Sequence, residues 1–346
     1  MSPSPVELAQ PRLALVTGAN GFIGAHVCRT LLAQGIPTRA MVLAGTPAET
    51  LKGMDLEIVP ADITLAATLP PALKGVSHVF HLAALATDWA PMAAFQRVIH
   101  GGTIQMLLAS AEAGVQRFVH TSSLAIHAYR GHNGSDETAP LDSTLNGYAL
   151  AKIDAEKSVR LFHRPGGRLG METVIIRPGL MPYGPGDTTS FFPMATAIEK
   201  GFFGLVNGGR ARLCTAYVEN LTQGMVLAGR HPAAGGETFI LADDEPISWR
   251  EIAHDVAVGL GVKPPRFSLP YWALWPVVGG MEAIGRATGW KNPPLTFYRI
   301  AVVRKDLVFS NRKAKEQIGF QPKIGLKEGL ERTLAWYREA RRDRKG

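Results

Sequence analysis

The sequence is poor in cysteine: Cys28 and Cys214 are the only two in 346 residues. Two isolated thiols exclude a disulfide framework and fit a reducing compartment. No run is long and apolar enough to span a bilayer; residues 267–278 are apolar but short, and Pro270 and Pro276 interrupt them. Residues 1–11, rich in Pro and Ser, lack a basic stretch followed by an apolar core, so they read as a loose lead-in and not a signal peptide. Together these absences predict a cytoplasmic chain. Acids are scarcer than bases, 29 against 37, giving a net charge of +8. Much of the excess sits in Arg338, Arg341, Arg342, Arg344 and Lys345, which reads as the solvated end of a helix. No zinc-finger, RNA-motif or basic-zipper pattern is present, so nucleic acid is not an expected partner. His78 and His81 lie three apart on a predicted strand and face opposite sides. His120, His127 and His132 have no Cys or acidic partner at metal-site spacing, so no metal is expected. The lack of a Gly-x-Ser-x-Gly turn disfavours a hydrolase triad.

What is present is apolar and patterned. At 46% hydrophobic residues, the chain can bury a large α/β domain and a smaller second part. Strand patterns at 13–17, 38–43, 56–59, 76–82, 117–121 and 173–176 alternate with helical patterns, including 24–34, 91–113 and 147–162. That alternation predicts a doubly wound parallel sheet with both faces covered. Pro and Gly cluster at 178–186, a boundary loop. The expected organisation is a lead-in at 1–11, a Rossmann-type dinucleotide-binding domain at 12–186, and a mixed, mainly substrate-binding part at 187–346 with some segments returning to the core. In that last part, helices are expected at 217–228, 248–260 and 271–288, and a strand at 238–241. Leu326, Leu330, Leu334 and Tyr337 form the stripe of a closing amphipathic helix.

The turn Thr17-Gly18-Ala19-Asn20-Gly21-Phe22-Ile23-Gly24 directly follows the first strand and opens the first helix. Gly18 permits a tight turn, Gly21 lets backbone approach a pyrophosphate, and Gly24 lets helix and strand pack closely. The helix N-terminus then offers N–H groups and a positive dipole to phosphate. An acid at the end of the second strand would select NAD and a base NADP. The sequence offers Leu43-Ala44-Gly45 there, so the choice stays open.

Tyr148-Ala149-Leu150-Ala151-Lys152 puts two side chains at i and i+4 on one helix face. A nearby ammonium favours a phenolate and lowers its pKa, so Tyr148 can exchange a proton with a substrate oxygen. Thr121-Ser122-Ser123 ends the preceding strand, at the sheet edge where ligands bind in open α/β folds. A hydroxyl there, from Ser122 or Ser123, would hold the substrate oxygen.

The Gly-x-x-Gly-x-x-Gly spacing resembles the extended branch of the short-chain dehydrogenase/reductase superfamily, and the resemblance runs along nearly the whole chain. It implies Ser123, Tyr148 and Lys152 as the catalytic group, with Lys152 also bonding the nicotinamide ribose. It implies a cofactor, NAD or NADP, held by Gly18, Asn20, Gly21, Phe22, Ile23 and Gly24. Asp62 and Ile63 would lie near the adenine. Leu82, Ala83 and Ala84, within His81-Leu82-Ala83-Ala84, would pass the cofactor with their backbone, and Thr121, Pro178 and Gly179 would complete its site. Tyr183-Gly184-Pro185-Gly186 departs from the pattern by one extra residue. Ser123 is followed by Leu124-Ala125 where sugar dehydratases carry Asp-Glu. Arg212 is available to a sugar nucleotide, but Tyr217-Val218-Glu219-Asn220, Phe309-Ser310-Asn311-Arg312-Lys313-Ala314 and Ile318-Gly319-Phe320-Gln321-Pro322 resemble the 3-beta-hydroxysteroid dehydrogenase and dihydroflavonol-reductase-like branch. The implied activity is alcohol/ketone oxidoreduction on a lipophilic, sterol-like or long-chain substrate. The alternatives are a nucleotide-sugar epimerase and a non-catalytic cofactor-binding module. Helices 91–113 and 147–162 match those that pair relatives into homodimers. Residues 264–294, with Trp272 and Trp275, are expected to form a lid over a lipophilic pocket, or weakly to touch a membrane surface, and helix 271–288 is expected to be buried on more than one face.

Overall fold

The computed structural model describes residues 9–142, 146–164, 170–290 and 293–343. Its apolar runs form seven central strands: Ala14–Thr17 (β1), Thr38–Val42 (β2), Glu57–Pro60 (β3), His78–His81 (β4), Arg117–Thr121 (β5), Glu172–Pro178 (β6) and Thr238–Leu241 (β7). They pair in parallel in the order β7-β6-β5-β4-β1-β2-β3. The helices that matter most to the site are Phe22–Ala33 (α1), Gly102–Glu112 (α2), Gly147–Leu161 (α3), Val218–Arg230 (α4), Tyr271–Thr288 (α5) and Leu326–Asp343 (α6).

Side chains alternate across a strand, and here both faces are filled. Ala14 and Val16 of β1 point into a core shared with Val27 and Leu31 of α1 and Met225 of α4. Leu15 points the other way, to Met106 and Leu107 of α2 and Val159 of α3. The chain builds outward from β1 to β3, then returns to start β4 on the other side of β1. This reversal opens a crevice at the carboxyl ends of β1 and β4, the place where such sheets bind ligands. β7 comes from the second half of the chain yet pairs with β6, and α4 packs on α1 across the same layer.

Several local features differ from the sequence reading. α1 begins at Phe22, because Gly21 takes the N-cap position and the helical turn starts inside the glycine motif. The helix at 91–113 is composite: Met92–Phe95, a π-helical stretch Gln96–Gly101, then α2. Within the expected boundary loop, Met181–Tyr183 is a strand paired with Thr215–Tyr217. The described end of the lead-in is anchored: Ala9 N–H donates to the Arg230 carbonyl and Arg230 Nε returns a bond to Ala9. Residues 1–8 of that lead-in lie outside the described residues. The basic tail is not simply solvated: Arg341 pairs with Glu199, and Arg338 bonds the Gly259 carbonyl. Arg344 and Lys345 lie outside the described residues. α6 buries Leu330, Leu334 and Tyr337 of its stripe.

α5 departs furthest from expectation. It buries one face only, through Leu274, Val278, Glu282 and Gly285. Trp272 and Trp275 are 76% and 53% exposed. Leu274 and Val278 pack with Ile300, Trp275 lies at the edge of this contact with its ring 4.9 Å from Phe297, and Trp272, at another angle around the helix, faces outward.

Candidate active site

The glycine turn is locked to the end of β4. Gly18 has a positive φ of 65°, and a Cβ there would sit 3.0 Å from the Ala83 backbone. A Cβ on Gly24 would come within 2.2 Å of the Gly18 carbonyl oxygen, so only glycine allows α1 to start this close to the turn. Thr17 fastens the two strands: its Oγ1 accepts from Leu82 N and Ala83 N, each at 3.1 Å, and lies 3.0 Å from His81 Nδ1. His81 reaches Thr103 at 3.1 Å, and burial with Lys152 nearby pushes its pKa down to about 3, so it is a neutral brace. No side chain caps α1 at Gly21. Gly21 is exposed and Phe22 and Ile23 are half-buried, which leaves a cradle of bare backbone fit for a pyrophosphate. Asn20 is turned away into the loop after β2, where its Nδ2 bonds Thr46 Oγ1 at 3.0 Å and Pro47 O at 2.8 Å.

The other cofactor residues are placed unevenly. Leu82, Ala83 and Ala84 are half-buried at the crevice. Asp62 is half-buried and its carboxylate accepts two bonds from Thr64, both 2.8 Å. The Ile63 side chain belongs to the core under α2. Pro178 and Gly179 are buried. The Gly179 N–H is spent on the Leu241 carbonyl at 2.8 Å, and its missing side chain makes room for Thr215. The loop after β2 opens on half-exposed Leu43, followed by Ala44 and Gly45, with neither acid nor base.

The catalytic candidates meet at the carboxyl end of β5. Asn146 caps α3 by accepting from Ala149 N at 2.9 Å, which fixes Tyr148 in the first turn. Ser123 Oγ accepts from Ala125 N at 3.1 Å and lies within hydrogen-bonding reach of the Tyr148 phenol. One turn on, buried Lys152 donates from Nζ to the Thr121 carbonyl at 2.6 Å, with Nζ 5.9 Å from the centre of the Tyr148 ring. Burial pushes the Lys152 ammonium down to about 8, while the Glu156 carboxylate pulls it back up. Tyr148 does not show the lowered pKa expected from its lysine. Burial raises it, and the Ser123 hydrogen bond opposes that rise only in part.

Sequence reasoning missed the group that supports this pair. Glu156 lies at i+8 from Tyr148, continuing the stripe. Burial raises its pKa, but Arg177 overcomes that and holds the carboxyl below its ordinary value. Arg177, fully buried, donates Nε to Glu156 Oε1 at 2.9 Å and Nη2 to Oε2 at 2.7 Å. The i, i+4, i+8 spacing was the available signal for Glu156; nothing local pointed to its partner. The loop after β4 was also missed. Its Ala84, Leu85 and Ala90 pack, as Tyr148 does, on the cluster of Phe95, Ile99, Ala151 and Ala155. Asp88 pairs bidentately with Arg299, with both bonds 2.8 Å, and accepts from Thr296 at 3.0 Å. Trp89 donates to the Trp290 carbonyl at 2.9 Å. These ties bind the β4 loop to the segment around α5. Arg212, by contrast, is engaged with Asp306 at 3.2 Å, and Asn220 is a structural strut between Asp243 and Ile324.

Known proteins identify the family of this fold. The family model for the NAD dependent epimerase/dehydratase family matches residues 14–242. The chain is 33% identical over 339 residues to a 3 beta-hydroxysteroid dehydrogenase/Delta 5-->4-isomerase of Mycobacterium tuberculosis, covering 93% of this chain and 90% of that one. It is 28% identical over 319 residues to a 4-hydroxy-2-methyl-3-oxo-4-farnesyl-3,4-dihydroquinoline-1-oxide ketoreductase of Stigmatella aurantiaca, covering 91% and 94%. Among solved structures it resembles MoeE5 in complex with UDP-glucuronic acid and NAD, with a TM-score of 0.74, 25% identity and coverage of 94% and 99%. The chain therefore belongs to the NAD-dependent epimerase/dehydratase family and is an enzyme of the extended short-chain dehydrogenase/reductase type.

Proposed function

We propose that the protein interconverts a secondary alcohol and a ketone on a lipophilic substrate, with NAD or NADP as partner and Tyr148 as the acid/base. The observation that carries this reading is the meeting of Ser123, Tyr148 and Lys152 at the carboxyl end of β5, beside the crevice of β1 and β4. The bare backbone from Gly18 to Ile23, with the chain at 82–84, fits the dinucleotide. When bound, its nicotinamide supplies or takes up the hydride.

The protein's own residues handle the oxygen and its proton. In reduction, Ser123 donates a hydrogen bond to the carbonyl oxygen and holds it beside the phenol. Tyr148 gives its proton to that oxygen as the hydroxyl forms, and the buried Lys152 ammonium stabilises the resulting phenolate. In oxidation the same phenolate takes the proton back. With its pKa raised by burial, Tyr148 stands protonated at neutral pH in the free protein, which suits the acid role.

A lipophilic substrate is supported by what lies beside Tyr148: the Phe95 ring, edge-on to it at 6.4 Å, the apolar cluster around Phe95 that also takes Leu85 and Ala90, and Tyr298, close enough for the two phenols to interact. α5 itself has little to offer two phosphates, because its one cation, Arg286, is paired with Glu282 at 2.7 Å, and Arg299 of the following helix is paired with Asp88. The steroid and farnesyl-quinoline relatives point the same way. The test offers purified protein hydroxysteroids, long-chain ketones and nucleotide sugars with each cofactor, following nicotinamide absorbance and products. Turnover of an apolar alcohol or ketone is expected. Product from a nucleotide sugar alone, with only that ligand raising the melting temperature, would replace this reading with the epimerase.

A further inference from the structure

α5 has 18 residues, of which one is acidic and one is Arg286. Its acid is already used: Glu282 is buried and accepts from Phe297 N at 2.8 Å and from Arg286 at 2.7 Å. The other side of the helix has no carboxylate. It presents Trp272, Val277 and Ile284, each at least half exposed, while Trp275, 53% exposed, lies at the flank against Phe297, and the chain beyond the C-terminus adds Trp290. At its N-terminal end the helix follows the short strand Ser268–Leu269, which pairs with Leu205–Val206. There Phe267 is 63% exposed and Phe202 83% exposed. Lys263 and Arg266, both exposed, share a shallow depression with Phe203 and Phe267. A strip of this kind, aromatic and aliphatic with cations near one end, is more than the scattered apolar residues of an ordinary surface.

We propose that this strip seats the protein on an anionic lipid surface, with α5 lying in the plane of the headgroups. The chemistry is complementary in two respects. Tryptophan is apolar in body and polar at one edge, and it settles where acyl chains meet headgroups. Lys263 and Arg266 sit where anionic headgroups would meet them, and each such cation strengthens attachment to a charged leaflet. A second copy of the chain fits less well, since a self-complementary contact would bring like cations together with no exposed carboxylate on α5 to pair them. The proposal goes beyond the catalytic reading and does not depend on it, because attachment needs neither cofactor nor turnover.

The test is co-sedimentation of the full chain with vesicles of phosphatidylcholine alone and of an equal mixture with phosphatidylglycerol. Binding is expected to the mixed vesicles and to fall steeply with salt. Lys263→Glu with Arg266→Glu should weaken it roughly tenfold or more. Trp272→Ser with Ile284→Ser should abolish it while leaving the melting temperature unchanged, since both side chains are exposed. In the unaltered protein, brominated lipid should quench tryptophan fluorescence, a readout that needs no variant. Failure to bind mixed vesicles overturns the proposal. So does concentration-dependent self-association that Trp272→Ser with Ile284→Ser removes, which would assign the strip to a second copy.

Discussion

Tyr148 and Lys152 share one helix face but not one electrostatic fate. Burial raises the phenol and lowers the ammonium to about 8. Tyr148→Phe should reduce turnover by about a hundredfold or more, because the lost hydroxyl carries the proton. Cofactor binding, followed by fluorescence titration, should be nearly unchanged, because the ring still packs. Near-normal activity in a folded Tyr148→Phe protein would remove Tyr148 from the mechanism. Lys152 makes a second prediction. Its ordinary value is 10.5, so between pH 8 and 10.5 the unfolded chain holds more protons than the folded one, and stability rises with pH across that window. Below pH 8 both states are protonated and the burial penalty on the ammonium is fully present. Denaturant melts of the wild type and Lys152→Met at pH 7 and pH 10 should show the wild type gaining on the variant, by an amount on the order of 3 kcal/mol. A constant difference would mean that the folded lysine titrates normally. At this scale the sequence revealed candidates through spacing alone. It could not reveal the direction of the Tyr148 shift, which depends on how much protein surrounds the ring.

α3 holds its register in the active site through Asn146 at one end and Glu156 in the middle. The Glu156–Arg177 pair is fully buried, so removing one partner strands a charge in a medium that solvates it badly. Glu156→Ala should therefore destabilise the fold by about 3–5 kcal/mol, read by urea denaturation. A loss below about 1 kcal/mol, the range of surface ion pairs, would mean that water reaches Arg177. The pair joins α3 to β6 over 21 positions of sequence, and no periodicity within either element announces it. Strands and helices with a clear apolar period were legible: β5, β7 and α5 have the expected bounds. The π-helical stretch at Gln96–Gly101 was not, since one extra residue per turn leaves the apolar pattern almost unchanged. α5 shows the opposite failure. Its apolar residues on several sides implied burial on several faces, yet among the described residues the buried ones lie on one face.

For the whole molecule, the order of strands and the crevice they create followed from the alternation of strand and helix together with the glycine turn. The second half was harder to place, because its short strands pair with distant segments: Arg212–Leu213 lies between Ile247–Ser248 and Leu307–Phe309. Assembly is the property least visible from one chain. The stretch Met92–Glu112 and α3 pack side by side, joined by Gln96 to Asp154 at 3.1 Å and His100 to Ser158 at 3.1 Å. Their inner faces are buried against the sheet, which leaves Met92 at 47%, Leu108 at 45% and Leu161 at 71% exposure. A second copy presenting the same helix pair across a two-fold axis would bury these side chains in a four-helix contact. Sedimentation velocity at micromolar concentration is expected to give a dimer, and Leu108→Glu with Leu161→Glu to give a monomer with unchanged circular dichroism, since buried unpaired carboxylates oppose the contact. A wild-type monomer would refute the assembly. A dimer indifferent to these two substitutions would place its interface elsewhere on the surface.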